Sequence, residues 1–525
     1  MITPIDIQVT NRILSAIAEE MGLVLQRSAF SSNIKERRDF SCAIFDKKAR
    51  LLAQAAHIPV HLGAMPDTIK MVRENFELSP GDIIITNDPF SGGTHLPDIT
   101  LVAGVFDKEE KELIFYLACR AHHADVGAKT PGSMALTQDL DDEGVLIKPN
   151  YLSVGGDIIE DYFNELVNQM RNPLERAGDL KAQIASLLRG EKRLKAILES
   201  QEKRKFLSTL SHLLSYGKRF MSKTISEIPN GTYEFTDFLD DDGISEELVP
   251  IKVTLTIKDD KAIVDFNGTS PQRPSCINAT ISVTRSAVYY CFFCLVGEGY
   301  PVNAGSLEPI TIKAPKGSLL NPEPPVPVAA GNVETSQRIV DCVFGALSQA
   351  IPEKIPAASC GTMNNIAIGG RFYDGKEFTY YETIGGGMGA RPGKDGISAI
   401  QVHMTNTLNT PIEALEQTYP MMIEAYSIRD GSGGIGKFKG GDGIIRRYRF
   451  LVPCTISLFT ERRKTSPYGL FGGKDGKIGE NLLFKTGKNQ PKSLPGKCIL
   501  KLEKGDLLEI RTPGGGGFGL IDLDK

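Results

Sequence analysis

Imidazole and carboxylate groups crowd into one short stretch of this chain. Between Asn87 and Gly127 the sequence reads NDPFSGGTHLPDI, then an apolar run, then CRAHHADVG, with His95, His122 and His123 interleaved with Asp88, Asp98 and Asp125. His57 and His61, in AHIPVHLG, lie just upstream, so five of the seven histidines fall in the first quarter of the chain. Neutral imidazole and carboxylate are the usual protein ligands of a divalent transition metal. Two histidines and one carboxylate leave positions open for water or substrate, as hydrolytic or Lewis-acid chemistry requires. His95, His122 and Asp125 form the first such set. His123 and Asp98 are further candidates, because a liganding imidazole is commonly oriented through its other ring nitrogen. The spacing matches no general motif such as HExxH, and the same residues read equally as loop side chains satisfied by backbone groups. Pro59 between His57 and His61 argues against a shared helical face; either histidine is available for proton transfer or for loop packing.

Rival chemistries have less behind them. No GxxxxGK[ST] occurs, which excludes a P-loop nucleotide site. GGGMGARPG and RTPGGGGFG offer backbone N–H groups beside Arg391 and Arg511, yet tight β-turns are the default reading of such clusters. Cys291 and Cys294 form a CxxC without a second pair, inside an apolar helix, and read as core residues. The ERRKTSPYGLFGG stretch reads as a solvated basic loop.

The elements that must position these groups follow from periodicity. Apolar residues from Ile7 to Leu25 repeat at helical spacing, Phe40–Phe45 and Ala49–Ala53 flank a hairpin turn, and a helix starts near Pro66. Ile83–Thr86, Ile99–Phe106 and Leu113–Ala118 read as strands, the last two joined by the charged turn DKEEKE, so the candidate ligands lie just outside strand ends. From Ile158 to about Glu227, three- and four-residue spacing predicts about three helices, broken near Asn172-Pro173 and at Gly190. Alternating strands follow from Gly231, with helices at Thr284–Val296 and Asn332–Ala350 and a proline-fixed connector at Leu320–Val328. Glycine-punctuated β-structure fills the rest. The fold class is thus α+β (mixed α/β) and multidomain: residues 1–155 around the metal site, a helical segment 156–230, an α+β region 231–360 and a β-rich region 361–525.

At 525 residues the chain exceeds the ~100–200 of one domain. A net charge of −4 argues against nucleic-acid or membrane-surface binding. The longest apolar run, Ala287–Gly297, is about half the ~20 residues of a membrane span, and the N-terminus lacks a signal-peptide pattern. Nine scattered cysteines suit a reducing compartment, so a cytoplasmic protein is expected.

Taken together, NDPFSGGTHLPDI, AHHADVG, HIPVHLGAMP, RDFSCAIFD, NPLERAGDLKAQIAS and the closing TPGGGGFG resemble the hydantoinase B family, from Ile5 to Gly519. That family includes B subunits of ATP-dependent N-methylhydantoinase, 5-oxoprolinase and caprolactamase, and the acetone carboxylase α subunit. The resemblance implies a separate A-type subunit that uses ATP to phosphorylate the substrate carbonyl, and a hetero-oligomer in which this chain completes the hydrolysis. It places the metal ligands in HLPD and HHxD: His95, His122 and Asp125. The ion would be zinc, manganese or iron, all of which suit such ligands. Asp88, Asp98, His123 and His57 are left as proton-transfer candidates. A bicarbonate-using carboxylase subunit and a non-catalytic scaffold are the alternatives.

Overall fold

The protein is described from a computed structural model that covers residues 2–521 except 56, 62, 108–110, 135, 201, 298 and 489. Its N-terminal helix α1 (Pro4–Ser28) starts where Thr3 and Asp6 cap each other reciprocally, with proline at the first helical position. A short helix α2 (Ser32–Lys35) leads into strands β1 (Phe40–Asp46) and β2 (Leu51–Gln54). Helix α3 (Met65–Asn75), β3 (Ile83–Thr86), β4 (Asp98–Phe106), β5 (Leu113–His122), β6 (Asn150–Val154) and β7 (Asp157–Ile158) complete the first unit. The strands form one antiparallel sheet in the order β2-β1-β5-β4-β3-β6-β7. Residues 108–110 of the DKEEKE turn between β4 and β5 lie outside the described residues.

β4 and β5 are covered on both faces, which is why they read as nearly continuous apolar runs. Odd-numbered residues such as Leu101, Leu117 and Cys119 enter the core shared with α1 and with the helices α4 (Glu160–Asn168), α5 (Pro173–Leu198) and α6 (Lys203–Ser226). Even-numbered Val102, Tyr116 and Ala118 pack towards α3. The expected break at Gly190 does not occur, because α5 runs through it. Glycine is needed there for close approach: a Cβ would strike Met21 and Leu117.

The middle unit pairs β8 (Gly231–Leu239), β9 (Val249–Lys258), β10 (Lys261–Asp265) and β11 (Ile310–Lys313) into a sheet, with only β10 and β11 parallel. Helices α7 (Ile281–Phe293), α8 (Ala304–Leu307) and α9 (Ser336–Ala350) accompany it, and a π-helical turn, Gly331–Thr335, precedes α9. α7 starts and ends three residues earlier than expected, because Thr280 caps it. Beyond it, β12 (Asn365–Arg371), β13 (Glu377–Glu382), β14 (Met421–Arg429), β15 (Gly443–Phe450), β16 (Cys454–Phe459), β17 (Glu480–Phe484), β18 (Lys492–Leu494), β19 (Lys497–Leu502) and β20 (Leu507–Arg511) form two sheets, ordered β13-β12-β16-β19 and β14-β15-β20-β17-β18. Between β13 and β14 lies helix α10 (Ile412–Thr418).

Two expectations about loops are overturned. The glycine clusters do more than turn. Residues 385–390, 432–441, 469–477 and 513–519 run side by side and hydrogen-bond main chain to main chain, as in Gly387 N–H to Pro513 O (3.0 Å), Gly515 N–H to Gly441 O (2.9 Å) and Ala390 N–H to Gly516 O (2.9 Å). A Cβ on Gly387 would fall on the Gly441 carbonyl, and one on Gly515 on the Met388 carbonyl. The ERRK stretch is likewise not a solvated loop. Arg462 is buried and pairs with Asp237 and Asp341 at 2.6 Å each, beside Arg338, which contacts Asp237 (3.2 Å), Asp341 (3.3 Å) and Glu461 (3.4 Å). Burial would lower the Arg338 pKa, but the facing carboxylates raise it. The cluster ties α9 and β8 to the end of β16.

Gly515→Ala should lower the unfolding free energy by about 3 kcal/mol or more, beyond ordinary overpacking because backbone cannot rotate away. Gly297→Ala, where a Cβ meets nothing within 4 Å, should stay within about 0.5 kcal/mol. Equal effects in denaturant melts would refute the packing argument.

Candidate metal centre

In the ladder between β4 and β5, Asp98 is directly opposite His122. Both are even-numbered, so both side chains emerge on one face at the sheet's end. His95 precedes Asp98 in a tight loop that Gly92, at φ +90°, presses against the start of α3. One ligand atom from each of His95, Asp98 and His122 can be chosen so that all lie within 4.8 Å of one another, and all three residues are buried. The ring centroids of His95 and His122 are 5.0 Å apart.

Each group is held from behind. His95 Nδ1 lies 3.2 Å from the Ala329 carbonyl oxygen, an acceptor only, so Nδ1 carries a proton, and Nε2 lies 3.3 Å from Asp98 Oδ1. The Asn332 amide nitrogen lies 3.1 Å from that Nε2. The Asn33 amide lies 3.0 Å from His122 Nδ1 and donates to the His122 carbonyl at 2.6 Å. Thr94 donates to Asp98 Oδ2, and His61 Nε2 is 3.3 Å from the same oxygen. His61 is fixed in turn by Ser41 at 2.9 Å. Asp98 Oδ1 and His122 Nε2 are buried with no hydrogen-bond partner among the described residues. Asp98 and His122 line a cavity of about 20 Å³, room for a water molecule, together with Asp39, His61, Asn332 and Tyr381.

The charges are matched. Burial alone would raise the Asp98 pKa, but His95 and His61 beside it bring it well below the usual carboxylate range. Burial would lower His95, and Asp98 reverses that and raises it. Burial, reinforced by His95, holds His122 well below the ordinary histidine value, so it is a neutral imidazole. An ionised carboxylate, a neutral imidazole and two orphaned acceptor atoms fit a divalent cation.

The sequence-expected residues separate. His95 and His122 are brought together, but Asp98 stands with them where Asp125 was expected. The carboxylate of Asp125 is taken up by the backbone N–H groups of Gly127 (2.8 Å) and Gly132 (2.7 Å), by Ser133, and by Arg171 at 3.0 Å. His123 follows His122 and points to the opposite side of the sheet, where Nε2 meets Gln183 at 2.9 Å and burial lowers its pKa to about 4. Asp88 caps the turn at Pro89–Ser91, accepting from Phe90 N–H and Ser91 Oγ. His57 stacks edge-on against Phe40, and burial lowers its pKa to about 4.

Sequence reasoning missed Asn33, Asn332 and Tyr381, which carry no distinguishing pattern. The Tyr381 ring stacks on His122 with centroids 4.8 Å apart, and the Arg37 guanidinium covers it at 4.8 Å. Tyr381 donates to Asn365 (2.6 Å), whose amide donates to Glu334 (2.6 Å). Burial, then Glu461, pushes Glu334 up to about 8.

Fold and site together define a multidomain α+β protein with a buried group of side chains able to hold a metal ion. The chain belongs to the hydantoinase B/oxoprolinase family, whose model matches residues 3–521. It is 43% identical to an uncharacterised protein of Methanocaldococcus jannaschii (98% of this chain, 90% of that one) and 40% identical to 5-oxoprolinase 1 of Arabidopsis thaliana (98% and 42%). It thus spans about two fifths of that plant protein's length. A Pseudomonas sp. protein, provisionally named as the B component of a D-/L-hydantoinase, is 32% identical (99% and 90%). Among solved structures, the ATP-dependent caprolactamase of Pseudomonas jessenii matches with a TM-score of 0.92 at 28% identity (99% and 91%). An acetone carboxylase matches in fold with a TM-score of 0.88 at 20% identity (98% and 76%).

Asp98→Asn and His122→Ala should each lower bound divalent metal at least about tenfold by elemental analysis, the scale of losing even an outer partner. Asp125→Asn should keep its metal and lower the melting temperature instead. Metal lost from Asp125→Asn but kept in Asp98→Asn would reverse the assignment. Because the folded-state pKa of Glu334 is raised from 4.5 to about 8, its stability contribution is full below about 4.5 and is lost as pH rises through about 8. Glu334→Gln should therefore flatten the fall of unfolding free energy between those pH values; identical slopes in urea titrations would count against it.

Proposed function

We propose that this chain is the B-type subunit of an ATP-dependent cyclic-amide hydrolase of the 5-oxoprolinase or hydantoinase type. A separate A-type subunit would phosphorylate the carbonyl oxygen of 5-oxoproline or a hydantoin, and this chain would hydrolyse the activated ring in the cytoplasm. The observation that carries the reading is the buried His95–Asp98–His122 group, with two ligand atoms lacking hydrogen-bond partners, beside a water-sized cavity. The names of the plant and Pseudomonas relatives support the substrate class and the division of labour between two chains.

His95, Asp98 and His122 would hold a zinc, manganese or iron ion, which supplies Lewis acidity at neutral pH. The chain's own groups do the rest. His61 lines the cavity with Nε2 towards Asp98 and Nδ1 on Ser41, so it holds the Asp98 carboxylate in place. Asn332 has an unpartnered Oδ1 at the cavity with which to orient a water. Ile58, Val60, Val333, Met363 and Met404 keep bulk solvent out, which strengthens every electrostatic contact inside.

With its A-type partner and ATP, the wild-type chain should open 5-oxoproline or a hydantoin, and His122→Ala should lower that rate more than about 100-fold. Full activity in His122→Ala would sink the reading. Substrate consumption that depends on bicarbonate, without ring opening, would point to carboxylation instead.

A further inference from the structure

The cavity beside Asp98 is too small for a lactam ring, and among the described residues no lysine or arginine lines it. On the other side of one chain segment the opposite holds. Met404, Thr405 and Thr407 line the cavity, whereas Val402 and His403 line a separate cleft of about 460 Å³. The chain changes sides at His403, which adopts φ +55° and whose Nδ1 lies 3.3 Å from the Tyr290 hydroxyl. A cleft of this size suits a small organic molecule.

Its lining has a definite character. One wall is apolar, with Phe344, Ile355 and Ile400, and the polar groups include Lys354 and Arg391 but no carboxylate. The Arg391 guanidinium makes no hydrogen bond or ion pair among the described residues, while its backbone is fixed by a reciprocal pair with Lys394. Lys354 reaches Glu227 only at 3.6 Å, with both side chains about half exposed. An exposed, unpartnered guanidinium lining a cleft with one apolar wall is matched by a carboxylate or phosphate on an apolar ring.

We propose that the cleft between α7, α9 and residues 388–403 binds a small anionic cyclic molecule, with Arg391 as its principal anchor. Its identification as the incoming substrate rests on the proposed hydrolase function; the site itself does not. Segment 402–407 would then be the wall between the anion's docking place and the buried cluster.

Cys294 is in the lining and is the exposed cysteine of the chain, whereas Cys498, partly buried on β19, lies outside it. Alkylation by N-ethylmaleimide, followed peptide by peptide in the full-length protein, therefore reads occupancy without turnover. 5-Oxoproline at about twice its Kd should slow alkylation of Cys294 about threefold and leave Cys498 unchanged. Caprolactam, a neutral ring, and inorganic phosphate, an anion without a ring, should protect much less. Arg391→Ala should abolish the protection and Arg391→Lys should restore part of it. No protection in the wild type, equal protection by caprolactam or phosphate, or full protection in Arg391→Ala would each overturn the proposal. If His122→Ala keeps full turnover while Cys294 is still protected, the metal-centre reading fails and the cleft stands.

Discussion

A carboxylate cut off from solvent has to be compensated or neutralised, and the Asp98 side chain meets that requirement with two imidazoles and a threonine hydroxyl. Much of the N-terminal architecture follows from this. His95 and Thr94 must be folded back onto the strand end, His61 must arrive from a different loop, and His122 must be delivered by the neighbouring strand in register. The requirement extends outward, because each imidazole needs its own partner. Ala329 and Asn332 come from the segment before α9, and Asn33 from α2, so the site can form only when separate parts of the chain have docked.

That docking is itself polar. Arg37 joins α2 to the C-terminal unit by donating to the Tyr381 carbonyl and to Thr383 at 3.0 Å each. Arg338 and Arg462, buried among Asp237, Asp341 and Glu461, bind the middle unit to the C-terminal one. Buried ion clusters of this kind contribute little net stability compared with apolar packing, but they tolerate few alternative arrangements. The cluster thus acts as a register mark: the C-terminal unit, and with it Tyr381 behind His122, fits in one orientation.

Periodicity makes most secondary structure of the first 350 residues legible, because its helices and strands have apolar faces with regular spacing. It errs where a local rule is overridden by contact at a distance. Gly190 breaks no helix because α5 needs a close approach there. The ligand set is hard to read for a related reason. Spacing alone ends β5 at Ala118, but the strand reaches His122, and only with that extension does Asp98 become the cross-strand partner of His122. Without the register, Asp98 and Asp125 are indistinguishable; with it, one faces the imidazoles and the other ties down a loop. Asn33, Asn332 and Tyr381 lie beyond reach because nothing in their local sequence distinguishes them from any other polar side chain in a turn or strand.

The glycine layer has a consequence for how this protein can vary. Its contacts run from main chain to main chain, so no side chain there can be enlarged in one place and reduced in another to compensate. A hydrophobic core drifts through paired, volume-conserving exchanges; glycines such as Gly387, Gly441 and Gly515, where a Cβ would meet backbone, have no such route. Variation must pass instead into the short connections that leave the layer, including residues 391–398, which border the cleft that carries Arg391. A rigid glycine frame with adaptable rims would let ligand preference change while the frame around it stays the same.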